Sequence, residues 1–141
     1  MFFEMVDMQR LLLAGLAAGV WVVVSGMLMA AAFGYRDMKA AFDAVALPVP
    51  KGVKPLLLHT AVRLVMGAAV AALFVIFLVA FTPTQAMIGS AGFTWLLAWL
   101  LPYAVIAEWG LFSWSVTAKI WAWGAMEMLI AAIIVRLIYR S

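Results

Sequence analysis

Charge is absent from long stretches of this chain and gathered into short ones. Residues 11–33 form a run of 23 without a charged side chain. About 20 apolar residues span the hydrocarbon layer, so this run predicts a first transmembrane helix. The pattern then turns amphipathic. Over 35–46, Met38, Ala41, Phe42 and Val45 share one helical face, while Arg36, Asp37, Lys39 and Asp43 occupy the rest. This predicts a short amphipathic helix suited to the membrane interface. A solvated linker helix has the same pattern. Pro48, Pro50, Gly52 and Pro55 then favour an extended segment, with Lys51 and Lys54 at headgroup level.

Residues 56–81 predict the second crossing, with His59, Thr60 and Arg63 in its first two turns. Thr82-Pro83-Thr84-Gln85 reads as a tight break. The third helix occupies 86–108, its start falling at Ala86 or Gly92, and Pro102 predicts a kink that frees the carbonyl of Ala98. A short aromatic connection leads to the fourth helix at 116–137, closed by Arg136, Tyr139 and Arg140. The expected fold is all-α: four transmembrane helices in a compact bundle, with a short interfacial helix between the first two. Residues 1–141 form a single transmembrane domain. The first apolar run is expected to stay as an anchor instead of being cleaved as a signal. Glu4 and Asp7 precede it with Arg10 alone as a cation, whereas the leading segment of a signal is positive.

Composition sharpens this picture. The chain is 70% hydrophobic and 11% charged, against roughly half and about a quarter in soluble domains. It has no cysteine, which removes disulfides, thiolate metal sites and thiol nucleophiles. Its single histidine, His59, excludes a bis-imidazole haem or a multi-histidine zinc or copper site within one chain. The net charge of +3 suits anionic lipid headgroups better than nucleic acid. The partners expected are therefore membrane lipids, further copies of the chain or other membrane subunits, and no nucleic acid. No Ser–His–Asp order, phosphate-cradling glycine loop or paired catalytic carboxylate stands out. No catalytic residue, metal or cofactor is expected, and the ten methionines read as core and lipid contacts.

Four crossings place both termini on one side. Arg10, Arg136 and Arg140 lie there, and Arg36, Lys39, Lys51 and Lys54 lie on the other. The positive-inside rule favours a cytoplasmic first loop. Trp95, Trp99, Trp109, Trp114, Trp121 and Trp123 cluster around the last two helices, and tryptophan favours the membrane interface.

The informative residues are the ionisable ones inside the spans. Glu127 falls about ten residues into the fourth helix, near mid-depth at about 1.5 Å per residue. A carboxylate there costs roughly 2.5–3.5 kcal/mol on insertion scales, so it must face the interior, pair or stay protonated. Ile120, Gly124, Glu127 and Ala131 share one face, which gives the acid two small neighbours that permit close helix approach. His59, Arg63 and Gly67 form a second stripe. With Glu108 ending the third helix and Lys119 opening the fourth, a compensated network of Arg63, Glu108, Lys119 and Glu127 is expected, with His59 nearby. Balanced charge favours a polar latch that fixes helix register. A proton or ion relay through Glu127 is the alternative. Gly15 and Gly19, with Gly26, Gly67 and Gly124, are the expected helix-packing positions.

Gly15-Leu16-Ala17-Ala18-Gly19, Ala91-Gly92 followed by Trp95-Leu96-Leu97-Ala98 and Leu100-Leu101-Pro102, and Ala122-Trp123-Gly124-Ala125-Met126-Glu127 leading to Leu137-Ile138-Tyr139-Arg140 resemble a group of small, uncharacterised bacterial four-helix membrane proteins. Of these motifs the Trp-Gly-x-x-Glu segment is the specific one. The chain departs from the group in its uncharged 82–92 loop. The resemblance implies a multi-pass protein of the bacterial inner membrane and no activity. The expected role is a non-enzymatic accessory or self-associating subunit of a membrane complex. A small transporter or channel protomer is the alternative, and a lipid- or quinone-directed membrane enzyme a third reading.

Overall fold

Asp7 opens the first helix, its carboxylate accepting the backbone N–H of Arg10 at 3.0 Å. The computed structural model describes residues 6–46, 48 and 51–140, and of Arg140 the backbone alone. Four long helices result: α1 Met8–Ala44, α2 Val53–Phe77, α3 Pro83–Glu108 and α4 Trp114–Arg140. All four are long and apolar enough to cross a membrane, and the chain is a multi-pass membrane protein.

The first helix does not stop at Phe33. Ala30–Gly34 forms a π turn, and the helix continues as Tyr35–Ala44. The amphipathic stretch is therefore an extension of α1, not the separate element its sequence suggests. Alanines 30–32 are strong helix formers, and Gly34 keeps helical dihedrals, φ −61° and ψ −40°, so nothing there breaks the helix.

The second helix begins at Val53, earlier than expected, because Pro55 sits in its first turn, where a missing amide hydrogen costs nothing. Gly52, at φ 100°, takes a left-handed conformation that favours glycine. Val49 and Pro50 of the expected extended segment lie outside the described residues. The helix ends at Phe77, and residues 78–81 form a turn.

The Thr82-Pro83-Thr84-Gln85 break is the start of α3. The Thr82 hydroxyl accepts the Gln85 N–H, and the Gln85 side chain accepts the Thr82 N–H at 3.0 Å, a reciprocal cap with Pro83 in the first turn. Thr82→Ala should lower stability by about 1 kcal/mol, read as a lower unfolding midpoint in detergent. Pro102 does perturb α3. The helix answers the missing N–H with a π turn over Leu96–Leu100. The carbonyl that finds a side-chain partner is that of Leu100, which accepts the Trp121 indole N–H at 3.2 Å, and not that of Ala98.

Successive helices pack as neighbours and α1 closes the ring against α4, while α2 and α4 also meet across the diagonal. The interior is built from small side chains and a few large ones. Ala14, Ala18, Ala71, Ala131 and Ala132 surround Val22, Val70, Phe74 and Met128. Outward, Leu16, Leu58, Val65 and Leu137 are 60–67% exposed, an apolar surface that water would not tolerate and acyl chains would.

Candidate functional site: a buried arginine–glutamate pair

Small residues let the backbones close on one another where the charges are held. On α1, Gly15 lies under Ala68 and Gly19 under Leu64 of α2. A Cβ added at Gly67 would fall inside the van der Waals radius of the Gly19 backbone. A Cβ at Gly26 would meet the Arg63 guanidinium. On α4, a Cβ at Gly124 would stand 2.5 Å from the Trp99 ring. The five glycines thus lie at helix-to-helix contacts, two of them directly beneath groups of the site.

Arg63 is 4% exposed and Glu127 is 0% exposed. Arg63 Nη1 donates to Glu127 Oε2 at 2.9 Å and to the Val22 carbonyl of α1 at 2.8 Å. The pair crosses the diagonal of the bundle and ties three helices through one guanidinium. Arg63 Nε donates to His59 Nε2 at 2.7 Å. A ring nitrogen that accepts carries no proton, so the imidazole hydrogen sits on Nδ1. The guanidinium carbon stands 5.3 Å from the centre of the Trp99 ring, a desolvated cation–π contact. The third and fourth helices therefore supply a face and a counter-charge to one cation.

Not every expected member takes part. Glu108 is exposed and makes no ion pair among the described residues. Lys119 is half-exposed and turns away, its Nζ 3.9 Å from Asp37 Oδ2 and 6.0 Å from the Phe33 ring centre. Four charges at similar depth do not form the compensated network, because Glu108 and Lys119 point to other azimuths. Neutrality is achieved by Arg63 and Glu127 alone, and Lys119 instead ties α4 to the extension of α1.

Several participants carry no sequence signal for this role. Trp99 reaches the site because it lies inside the π turn of α3, which offsets the register of the following helix. Trp21 donates its indole N–H to the backbone carbonyl of Glu127 at 3.0 Å, and Trp123 donates to Ser25 Oγ at 2.9 Å. Trp95 donates to the Trp121 carbonyl at 2.9 Å. These tryptophans are interhelical struts. Trp109 and Trp114, 73% and 55% exposed, are the ones placed for an interfacial belt. Glu127 Oε1 and Trp99 Nε1 are both buried without a hydrogen-bond partner, although Ser25 and Trp99 border the carboxyl.

A cavity of about 430 Å³ opens beside the pair, toward the end of the bundle where α1 leaves and α2 begins. His59, Arg63, Tyr35 and Tyr103 line it with apolar neighbours, and Glu127 does not.

Fold and site together define a four-helix, multi-pass membrane protein with a buried ion pair across its core. No protein-family model, curated protein or solved structure matches the chain.

Proposed function

We propose that this chain is a non-enzymatic membrane subunit of the bacterial inner membrane, with a cytoplasmic first loop, that associates with membrane lipids and with further copies of itself or with other membrane subunits. Its Arg63–Glu127 pair acts as a latch that sets the register of α1, α2 and α4. The observation that carries this reading is the complete burial of Glu127 on Arg63, away from the cavity. A carboxylate that couples transport must meet water or a travelling ion during its cycle. This one is sealed behind its own counter-ion.

The outer surface supports association. An apolar groove runs between α2 and α3, with Ala61, Val65, Ala69, Phe93 and Leu97 along it. Thr94 also lines it and is buried with its hydroxyl unpartnered. Small residues and a spare hydroxyl are the features that let a helix of a neighbouring chain seat closely in a bilayer.

Glu127→Gln separates the readings. The amide still accepts from Arg63 but leaves its charge uncompensated. Under the latch reading the variant loses thermal stability and its assembled species in native mass spectrometry, and the wild type shows a multimer or co-purified subunits. The reading falls if the wild type is a lone monomer that conducts protons or cations in proteoliposomes, and Glu127→Gln keeps the melting midpoint while abolishing that flux.

A further inference from the structure

The cavity beside the ion pair has more polar equipment than the latch uses. Arg63 spends Nε on His59 and Nη1 on Val22 and Glu127. Its Nη2 makes no hydrogen bond among the described residues, and the side chain, 4% exposed, lines the cavity floor. His59 lines the same space, with Nε2 occupied by Arg63, so its Nδ1–H is left to donate. Tyr35 and Tyr103 belong to the same lining. The positions left open on Arg63 and His59, Nη2 and Nδ1–H, are donors, and among the described residues no carboxylate lies in the wall.

The rest of the wall is apolar: Met29, Met38, Leu56, Phe112 and Ile120. Tyr103 stacks on Trp99 at 5.6 Å and on Phe112 at 6.1 Å. This ladder of rings runs outward from the guanidinium and makes one side of the cavity rigid. Its volume, about 430 Å³, lies within the range of about 300–1,000 Å³ for small-molecule sites, and an apolar pocket with a few convergent polar groups is their usual form. Charge at this end favours one sign of ligand. Arg36, Lys39, Lys51, Lys54 and Lys119 outnumber Asp37, Asp43 and Glu108 there, while Arg63 and Glu127 cancel each other.

We infer that this cavity binds the head and adjoining chain of an anionic amphiphile, with a phosphate or carboxylate oxygen on Arg63 Nη2 and His59 Nδ1 and the apolar portion against Met38, Leu56 and Phe112. Two sources present that chemistry, an acidic phospholipid and a free fatty acid. Both carry an anionic oxygen that accepts hydrogen bonds, next to a hydrocarbon chain. A zwitterionic lipid brings a cation to a mouth already rich in cations, and inorganic phosphate leaves the apolar wall unfilled. The site does not depend on the chain being an accessory subunit.

Native mass spectrometry of the full chain in detergent tests this, with dioleoylphosphatidylglycerol, oleate, dioleoylphosphatidylcholine and inorganic phosphate as probes. One phosphatidylglycerol or oleate should be retained per chain at least about tenfold better than phosphatidylcholine or phosphate. Whichever of the two prevails identifies the source. Met38→Trp narrows the cavity at its apolar wall and leaves both members of the ion pair in place, so it should weaken retention of the adduct at least about tenfold at an unchanged melting midpoint. A photoactivatable phosphatidylglycerol gives a readout on the wild type alone, labelling peptides around Met38 and Leu56. The inference fails if phosphatidylcholine or phosphate binds as well as the anionic lipids. It also fails if folded Met38→Trp keeps the adduct, or if the label spreads evenly over Leu16, Val65 and Leu137.

Discussion

Arg63→Met should cost about 3–5 kcal/mol, the loss expected when one partner of a buried ion pair is removed and the other remains. The reason lies in what the guanidinium holds. It satisfies Glu127 on α4, the Val22 carbonyl on α1 and His59 on its own helix. Methionine has similar bulk and no donor, so it leaves a carboxylate without its counter-ion in a site that is 0% exposed. Unfolding in a graded denaturing detergent should show the midpoint collapse. The double variant Arg63→Met/Glu127→Leu should recover most of that loss, because two apolar side chains of similar size replace a mutually compensating pair. A double variant no more stable than the single would show that Arg63 supports the fold through Trp99 and Val22 alone, and the latch would be the wrong description.

Gly67→Ala is the second large effect. The added methyl would overlap the backbone of Gly19, and backbone cannot swing aside as a flexible side chain can. The two helices must separate, at a cost near the upper end of the roughly 1–3 kcal/mol typical of overpacking. Separation also lifts Arg63 off Val22, four residues along the same stripe, so the packing defect spreads to the ion pair. Gly15→Ala should be milder, since its Cβ would stand 3.3 Å from Ala68. Gly92→Ala should be neutral or stabilising, because nothing lies within 4 Å of the added atom and alanine favours a helix by up to about 1 kcal/mol. Melting midpoints of the three variants in one detergent would give this order. Equal effects at all three would remove the close α1–α2 approach from the account.

Hydropathy and the 3.6-residue period are enough to find four spans, because lipid demands about 20 apolar residues in each. The same period puts His59 above Arg63 on one stripe, and those two are hydrogen-bonded. It also puts Ile120, Gly124, Glu127 and Ala131 on one face, and all four are buried. Which acid meets Arg63 is another matter. Depth can be counted along a chain, but the azimuth at which one helix faces another depends on the packing of all four. Glu108 and Lys119 have a plausible depth and the wrong azimuth. Trp99 was hidden for a related reason. A π turn shifts the register within α3, and Pro102 announces a disturbance there without stating its form. The end of α1 is not legible in the sequence because a change from apolar to amphipathic pattern resembles a boundary, although no residue there stops the helix.

The length of α1 has a mechanical consequence. Its 37 residues make a rod of about 55 Å at 1.5 Å per residue, against an acyl layer of about 30 Å. The final turns carry Arg36, Asp37, Lys39 and Asp43, which hydrocarbon would reject, so the surplus length projects as a stiff boom instead of leaning into lipid. Lys119 and Asp37 act as its stay. A partner that binds this projecting end would therefore engage the same helix whose Val22 carbonyl accepts from the arginine at the centre of the bundle.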